Sequence, residues 1–219
     1  MAEAEPELHE LADGLWAWRQ PHPDWTPGHG WDPPVNSFLA VVPSGSDPGR
    51  VPPGRVEGLT LARDVALLID ALVLADWPSL DEQLVDKEVH VVQLKPDHNR
   101  SRDALAGRYG ARVWRPGSYW PGDDVAGVAT AKFDGRFKGE TPLWIPAHGA
   151  LIFADAVVAD RAGNLRIWET DWYDEYTIPA MRRLLELPVE RVLVSHGSPI
   201  EHPRDELERA LSRPQWADY

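Results

Sequence analysis

Residues 93–98, Gln-Leu-Lys-Pro-Asp-His, set an acid and an imidazole side by side just past a short apolar run, Val91-Val92. Two further places repeat the pattern. Asp155 follows Leu151-Ile152-Phe153-Ala154, and His196 follows Val192-Leu193-Val194 and Ser195. Carboxylates and imidazoles delivered by rigid strands into one crevice suit a borderline divalent cation such as zinc, manganese or iron. Open α/β sheets place ligands at the carboxyl ends of their strands, where these residues fall. Spacing alone leaves another reading open, with Asp155 as a turn residue and His196 as a hydrogen-bonded core histidine.

The elements that must carry these residues are legible from apolar patterning. Strands are expected over Leu15–Trp18, Phe38–Val42, Val65–Asp70, Val89–Val92, Ala111–Trp114, Val125–Ala131, Leu143–Ile145, Ala150–Ala154, Leu165–Trp168 and Arg191–Val194. Helices are expected near Asp81–Leu84, over Arg102–Tyr109, around Ile178–Leu185 and over Asp205–Leu211. Gln20 to Pro34, rich in Pro, Gly, His and Trp, reads as an irregular loop, and a loop of that length inside a compact domain tends to be functional. Trp25 and Trp31 on it are expected to wall a substrate mouth, with His29 beside them, although His22 and His29 also read as exposed loop histidines. Ser44 to Gly58 reads as a second loop. His148, in Pro146-Ala147-His148-Gly149, fits a tight turn, and His202 carries no pattern.

At 219 residues, the chain is expected to form a single domain over 1–219. A formal net charge of −13 argues against wrapping nucleic acid or docking on an anionic membrane. The absence of cysteine excludes disulfides, thiolate metal sites and thiol nucleophiles. The acidic start has no signal-peptide character and no apolar run could span a bilayer, so a cytoplasmic location is expected. Neither a Gly-rich phosphate loop nor a Gly-x-Ser-x-Gly elbow occurs. The expected partner is a small molecule or anion, with oligomeric state open.

The ordered features Leu68-Ile69-Asp70, Pro96-Asp97-His98, Phe153-Ala154-Asp155-Ala156 and Ser195-His196-Gly197 resemble the metallo-β-lactamase fold superfamily, over roughly Leu11 to Leu211. The resemblance implies an α/β fold, a four-layer αβ/βα sandwich of two mixed β-sheets flanked by helices, with metals at one edge of the sheets. It also exposes a patterned departure. The superfamily motif is His-x-His-x-Asp-His; here its first two positions hold Gln93 and Lys95, and a third, distant histidine falls near Arg136. The other metal set is intact, with Asp97, His98, Asp155 and His196 as its implied ligands, and Asp70 matches a structural acid. Two accounts follow. In one, a single divalent metal, zinc before manganese or iron, activates water for hydrolysis of an ester, thioester, amide or phosphoester, with Lys95 and Arg136 as electrostatic helpers in catalysis. In the other, no metal binds, Lys95 and Arg136 pair with Asp97 and Asp155, and the protein is a non-catalytic binder of a small anion or a protein partner.

Overall fold

Alternation along the strands decides which layer each residue enters. In β3 (Pro34–Val42) and β4 (Val65–Ile69), Phe38, Ala40, Leu67 and Ile69 face one way, and Leu39, Val41, Ala66 and Leu68 the other. Both faces are buried, which explains the unbroken apolar run of β4. The computed structural model describes residues 6–27, 31–46, 63–116, 128–130, 139–160, 162–168, 170–197 and 203–212.

The first sheet runs β1 (His9–Ala12), β2 (Leu15–Pro21), β3, β4, β5 (Glu88–Val92), β6 (Arg112–Trp114) in that order. Its first four strands are antiparallel, and β4, β5 and β6 are parallel, with α1 (Pro78–Leu84) and α2 (Arg102–Tyr109) as their connections. The second sheet has the order β12 (Arg191–Val194), β9 (Ala150–Phe153), β8 (Leu143–Ile145), β7 (Ala129–Thr130). There β12 and β9 are parallel and the other pairs antiparallel. A small hairpin, β10 (Val158–Ala159) and β11 (Leu165–Arg166), follows β9.

Three buried clusters define four layers. Leu67, Ile69, Val92 and Leu94 meet Leu143, Ile145, Ala150 and Ile152 between the sheets. Outside the first sheet, Ala66, Leu68 and Val91 meet Leu80 and Leu84 of α1 and Leu105 of α2. Outside the second, Leu151, Phe153, Val192 and Val194 meet α3 (Ile178–Leu184) and α4 (Pro203–Ala210) through Ile178, Met181, Leu184 and Leu207. Full burial of each such side chain is worth about 1.5–3 kcal/mol, so the three clusters dominate the packing energy. Much of the tryptophan content belongs here: Trp18, Trp77, Trp114 and Trp144 are all buried. No helix among the described residues is long and apolar enough to cross a membrane.

The expected α2 and β12 match residue for residue, and α1, α3 and α4 lie within three residues of their expected starts. Two strands were not expected. β1 has four residues, none of them fully buried, and β10 has two, so neither carries enough apolar periodicity to signal itself. The strand expected over Leu165–Trp168 is only Leu165–Arg166, and of the one expected over Val125–Ala131 the described part includes the strand Ala129–Thr130, while residues 125–127 and 131 lie outside the described residues. The long loop after β2 is narrower than expected, because β2 and β3 stay paired to Pro21 and Pro34 and the His22 amide donates to Pro33 O. Most of the second expected loop lies outside the described residues, as do His29, Arg136 and His202.

The strands β4, β5, β9 and β12 all deliver their carboxyl ends to one edge of the sandwich. Asn36 of β3 closes that edge by donating Nδ2 to Val194 O (2.7 Å) and Gly197 O (3.0 Å), while its own N–H donates to Ser195 O. Gly197 sits there at φ 103°, and a Cβ would lie 2.2 Å from Ala159 O. Gly197→Ala therefore has to move either β10 or the His196 turn. It is expected to lower the unfolding free energy by about 2 kcal/mol or more, measured in urea. A variant with an unchanged midpoint would show that the turn has slack.

Candidate metal site at the sheet edge

Asp70 terminates β4 in the left-handed region, at φ 43°, which a non-glycine residue adopts only where its surroundings hold it. Its buried carboxylate accepts from the Leu94 amide at Oδ1 (2.8 Å) and from His98 Nδ1 (2.8 Å) and Ser195 Oγ (3.2 Å) at Oδ2. Its carbonyl accepts from Ser37 Oγ and from Arg100 Nη1. One acid thus ties the ends of β4, β5 and β12 together. With Nδ1 of His98 occupied by Asp70, the opposite nitrogen, Nε2, is directed at Asp155.

The turn after β5 is built by Gln93. This side chain, 2% exposed, donates Nε2 to Lys95 O (2.8 Å) and Pro96 O (2.7 Å) and accepts from Arg102 Nη1 at Oε1 (2.7 Å). The turn in turn presents Lys95, Asp97 and His98. Lys95 Nζ donates to Asp155 Oδ2 at 2.5 Å and to Asp97 Oδ2 at 2.9 Å. Burial opposes the charge on Lys95, but Asp155 and then Asp97 outweigh it and hold the ammonium protonated well above its ordinary range.

Asp155 has an unequal carboxylate. Its Oδ2 carries Lys95, while Oδ1 faces His98 Nε2 at 3.2 Å and His196 Nε2 at 3.3 Å. Neither approach is aligned as a hydrogen bond, so among the described residues Oδ1 is buried without an aligned donor and His196 Nδ1 without a partner, although both rings stand close enough to act on the carboxylate. Burial pushes the Asp155 carboxyl up, but His196 and His98 outweigh it and keep it ionised far below the usual range. His98 is pulled the other way. Burial lowers its pKa, yet Asp70 and Asp155 more than offset this and push it up to about 9. For His196 burial wins over Asp155, and the ring is held neutral.

His98, Asp155 and His196 each offer one ligand atom, all within 4.8 Å of one another. Two imidazole nitrogens aimed at one buried, donor-free carboxylate oxygen form a set that a divalent cation would satisfy, and the Asp70 contact to His98 Nδ1 is the usual outer support of a metal-ligating histidine. Asp97, expected as a fourth ligand, is not among them. Its carboxylate is two-thirds exposed and turned to Lys95, because the Gln93-braced turn points it outward. Arg136 falls outside the described residues. The residue that the same connection does bring to the site is Glu140, whose carboxylate accepts from the amides of Ala154, Asp155 and Ala156. Burial, then the charge of Asp155, push Glu140 up to about 7.

The trio opens into a cleft of about 220 Å³ whose walls include Trp31, His22, Arg100, Trp168 and Asp97. Trp31 reaches the site as expected, its ring edge-on to His196 at 5.2 Å between centroids. Trp25 is one step removed, donating Nε1 to Trp31 O (2.7 Å). His22 is half-buried on the cleft wall, with its pKa lowered by burial and by Arg100, rather than a solvated loop residue. Trp168 donates Nε1 to Asp155 O (2.8 Å). Glu140, Arg100 and Trp168 carried no signal in the sequence, since their roles depend on partners 13 to 64 residues away. His148 is structural, as expected: it is buried and bonds Val41 O across the two sheets.

No protein-family model and no curated relative matches the chain. Solved structures do. An NDM_FIM-1 like metallo-β-lactamase from Erythrobacter litoralis, in its mono-zinc form, is similar with a TM-score of 0.55 and 15% identity over 97% of each chain. VMB-1 at pH 5.5 is similar with a TM-score of 0.56 and 13% identity over 95% of each chain. The DIM-1 metallo-β-lactamase exposed to ceftazidime gives a TM-score of 0.55 and 11% identity over 95% of this chain and 96% of the other. With the four layers, the mixed sheets and the site at the carboxyl ends of the strands, these likenesses lead to one conclusion: the chain has the metallo-β-lactamase fold.

Proposed function

We propose that this protein is a hydrolase of an ester, thioester, amide or phosphoester that uses a single divalent metal, zinc before manganese or iron, held by His98, Asp155 and His196. The observation that carries this reading is the divided carboxylate of Asp155, with a lysine on one oxygen and two imidazole nitrogens around the other, donor-free one. A similar fold exists in a mono-zinc form, which supports zinc as the ion. When bound, such an ion supplies a Lewis acid and a water that ionises near neutral pH.

The chain's own residues do the rest. Asp70 orients His98 and keeps Nε2 available. Lys95 fixes Asp155 Oδ2, so that Oδ1 is the oxygen left for the cation. An ammonium has three N–H donors, and Lys95 spends two on Asp97 and Asp155; the third serves an oxyanion developing on the substrate. Trp31 and Trp168 narrow the cleft and reduce access of bulk water to it. The carboxylates of Asp70, Asp97 and Asp155, with Glu140 part-ionised near pH 7, outnumber the two permanent cations, Lys95 and Arg100, which favours a further cation at the site.

A second reading rests on the Lys95 ion pairs and on the raised pKa of His98. With His98 protonated between Asp70 and Asp155, the site is held by its own charges, and the protein is a metal-free member of the fold. It would then bind through its surface, or take a small anion, although Lys95 is already engaged by two acids.

Metal analysis after loading with zinc and exhaustive dialysis separates the two. About one equivalent should remain on the wild type, with much less on Asp155→Ala and His196→Ala. Wild-type protein that retains none defeats the hydrolase reading. The pH dependence gives an independent check, because His98 must shed a proton to become a ligand. With a free pKa of about 9, apparent zinc affinity should rise roughly tenfold per pH unit from pH 7 towards 9, and a flat profile would remove His98 from the ligand set. The metal-free reading predicts the opposite trend in a different quantity. A histidine whose pKa is raised on folding stabilises fully below its unfolded value near 6.5 and loses that contribution as pH rises through about 9. Under that reading, stability falls over this interval and zinc does not restore it.

A further inference from the structure

Glu140 is 6% exposed, and among the described residues no basic side chain is bonded to it. Its carboxylate instead takes three successive backbone N–H groups, Ala154 at 2.8 Å on Oε1, and Asp155 at 2.8 Å and Ala156 at 2.7 Å on Oε2. Those three amides are the first beyond β9, so they have no strand partner and would otherwise be buried without an acceptor. The residue itself is anchored from the other sheet, because the neighbouring Thr141 amide donates to Leu94 O at 2.9 Å. From the far side, Trp168 Nε1 holds Asp155 O at 2.8 Å. The peptide of Asp155 is thus clamped on both its N–H and its carbonyl.

We infer that Glu140 is a positioning residue for the metal site: it fixes the backbone of Asp155 so that the carboxylate stands between Lys95 and the two imidazoles. This inference rests on the reading of Asp155 as a ligand. It goes further in assigning the geometry of that ligand to a residue that touches neither the cation nor the cleft. A neutral amide of the same shape cannot replace it. Glutamine has one acceptor oxygen and one NH₂ group, and three N–H donors surround the position on both sides. Whichever way the amide is turned, its NH₂ meets a backbone N–H, and at least one of the three bonds is lost.

The test uses the full chain with Glu140→Gln, and His148→Ala as a control that removes a buried bond between the sheets at the opposite end of the strands. Cobalt(II) is titrated in competition with a chelator at a temperature where circular dichroism shows every variant folded, and its visible spectrum is recorded. Amide exchange is measured at Ala154, Asp155 and Ala156. Glu140→Gln should accelerate exchange at one or more of these amides. It should also weaken cobalt binding by about tenfold to a hundredfold and alter the spectrum, as expected for loss of an outer support. His148→Ala should leave cobalt affinity and spectrum at wild-type values. Unchanged exchange in Glu140→Gln, or faster exchange with wild-type cobalt affinity and spectrum, would overturn the inference while leaving the metal site standing. A wild type that takes up no cobalt would instead overturn the metal reading, and this one with it.

Discussion

The buried carboxylate of Asp70 is the constraint on which the site edge depends. An ionised acid away from water is tolerated only when donors surround it. Here the three donors come from two separate strand ends: the Leu94 amide and His98 after β5, and Ser195 after β12. Satisfying the acid and joining the two sheets at this edge are therefore one event. The left-handed backbone at Asp70 turns its carbonyl to Ser37 and Arg100, and Arg100 Nη1 also donates to Asn36 O. Asn36 in turn holds the turn that carries His196. The two imidazoles of the trio are thus set by one connected network, with the strain at φ 43° held by bonds on both sides of the Asp70 peptide.

Asp155 obeys a different rule. Its side chain is stabilised by cations and imidazoles, while its backbone is stabilised by another acid, Glu140. Burying a second carboxylate against the peptide of the first is costly in a dry environment: burial first, and the charge of Asp155 second, raise the pKa of Glu140. The arrangement persists because three N–H dipoles point at Glu140 and because Lys95 offsets charge at Asp155 Oδ2. What is left is Oδ1, on which the two histidine nitrogens converge.

How much of this could be read from the chain differs by residue. The apolar runs of β4, β9 and β12 announce strands buried on both faces, and the polar residues that end them, Asp70, Asp155 and His196, announce the site. Helix α2 was legible to its last residue because Gly110, at φ 60°, stops it. Asp97 and His98 are adjacent in sequence, yet the structure sends one outward to Lys95 and the other inward to Asp70; the choice is made by Gln93 and by Asp70, 24 residues or more from the contacts it forms. Glu140 was illegible for the same reason. A glutamate between Gly139 and Thr141 reads as a surface turn until the three amides it serves, 14 to 16 residues on, are seen beside it.

The positions at which the sequence departs from His-x-His-x-Asp-His are not gaps in the structure. Gln93 uses all its polar atoms, two bonds from Nε2 to the turn and one at Oε1 from Arg102, and is as buried as the core around it. Lys95 spans the two acids that flank it. Both now hold the turn and the carboxylate from which the His98, Asp155 and His196 set is made. A site that had merely decayed would leave unpaired polar groups at these positions, since nothing would select for their satisfaction. Among the described residues the buried unpaired side-chain atoms are Gln20 Oε1, His196 Nδ1 and Asp155 Oδ1, and of these only Asp155 Oδ1 is the atom on which the two imidazoles converge. Polar satisfaction at Asp155 Oδ2 and its lack at Oδ1 fit the proposed one-cation site.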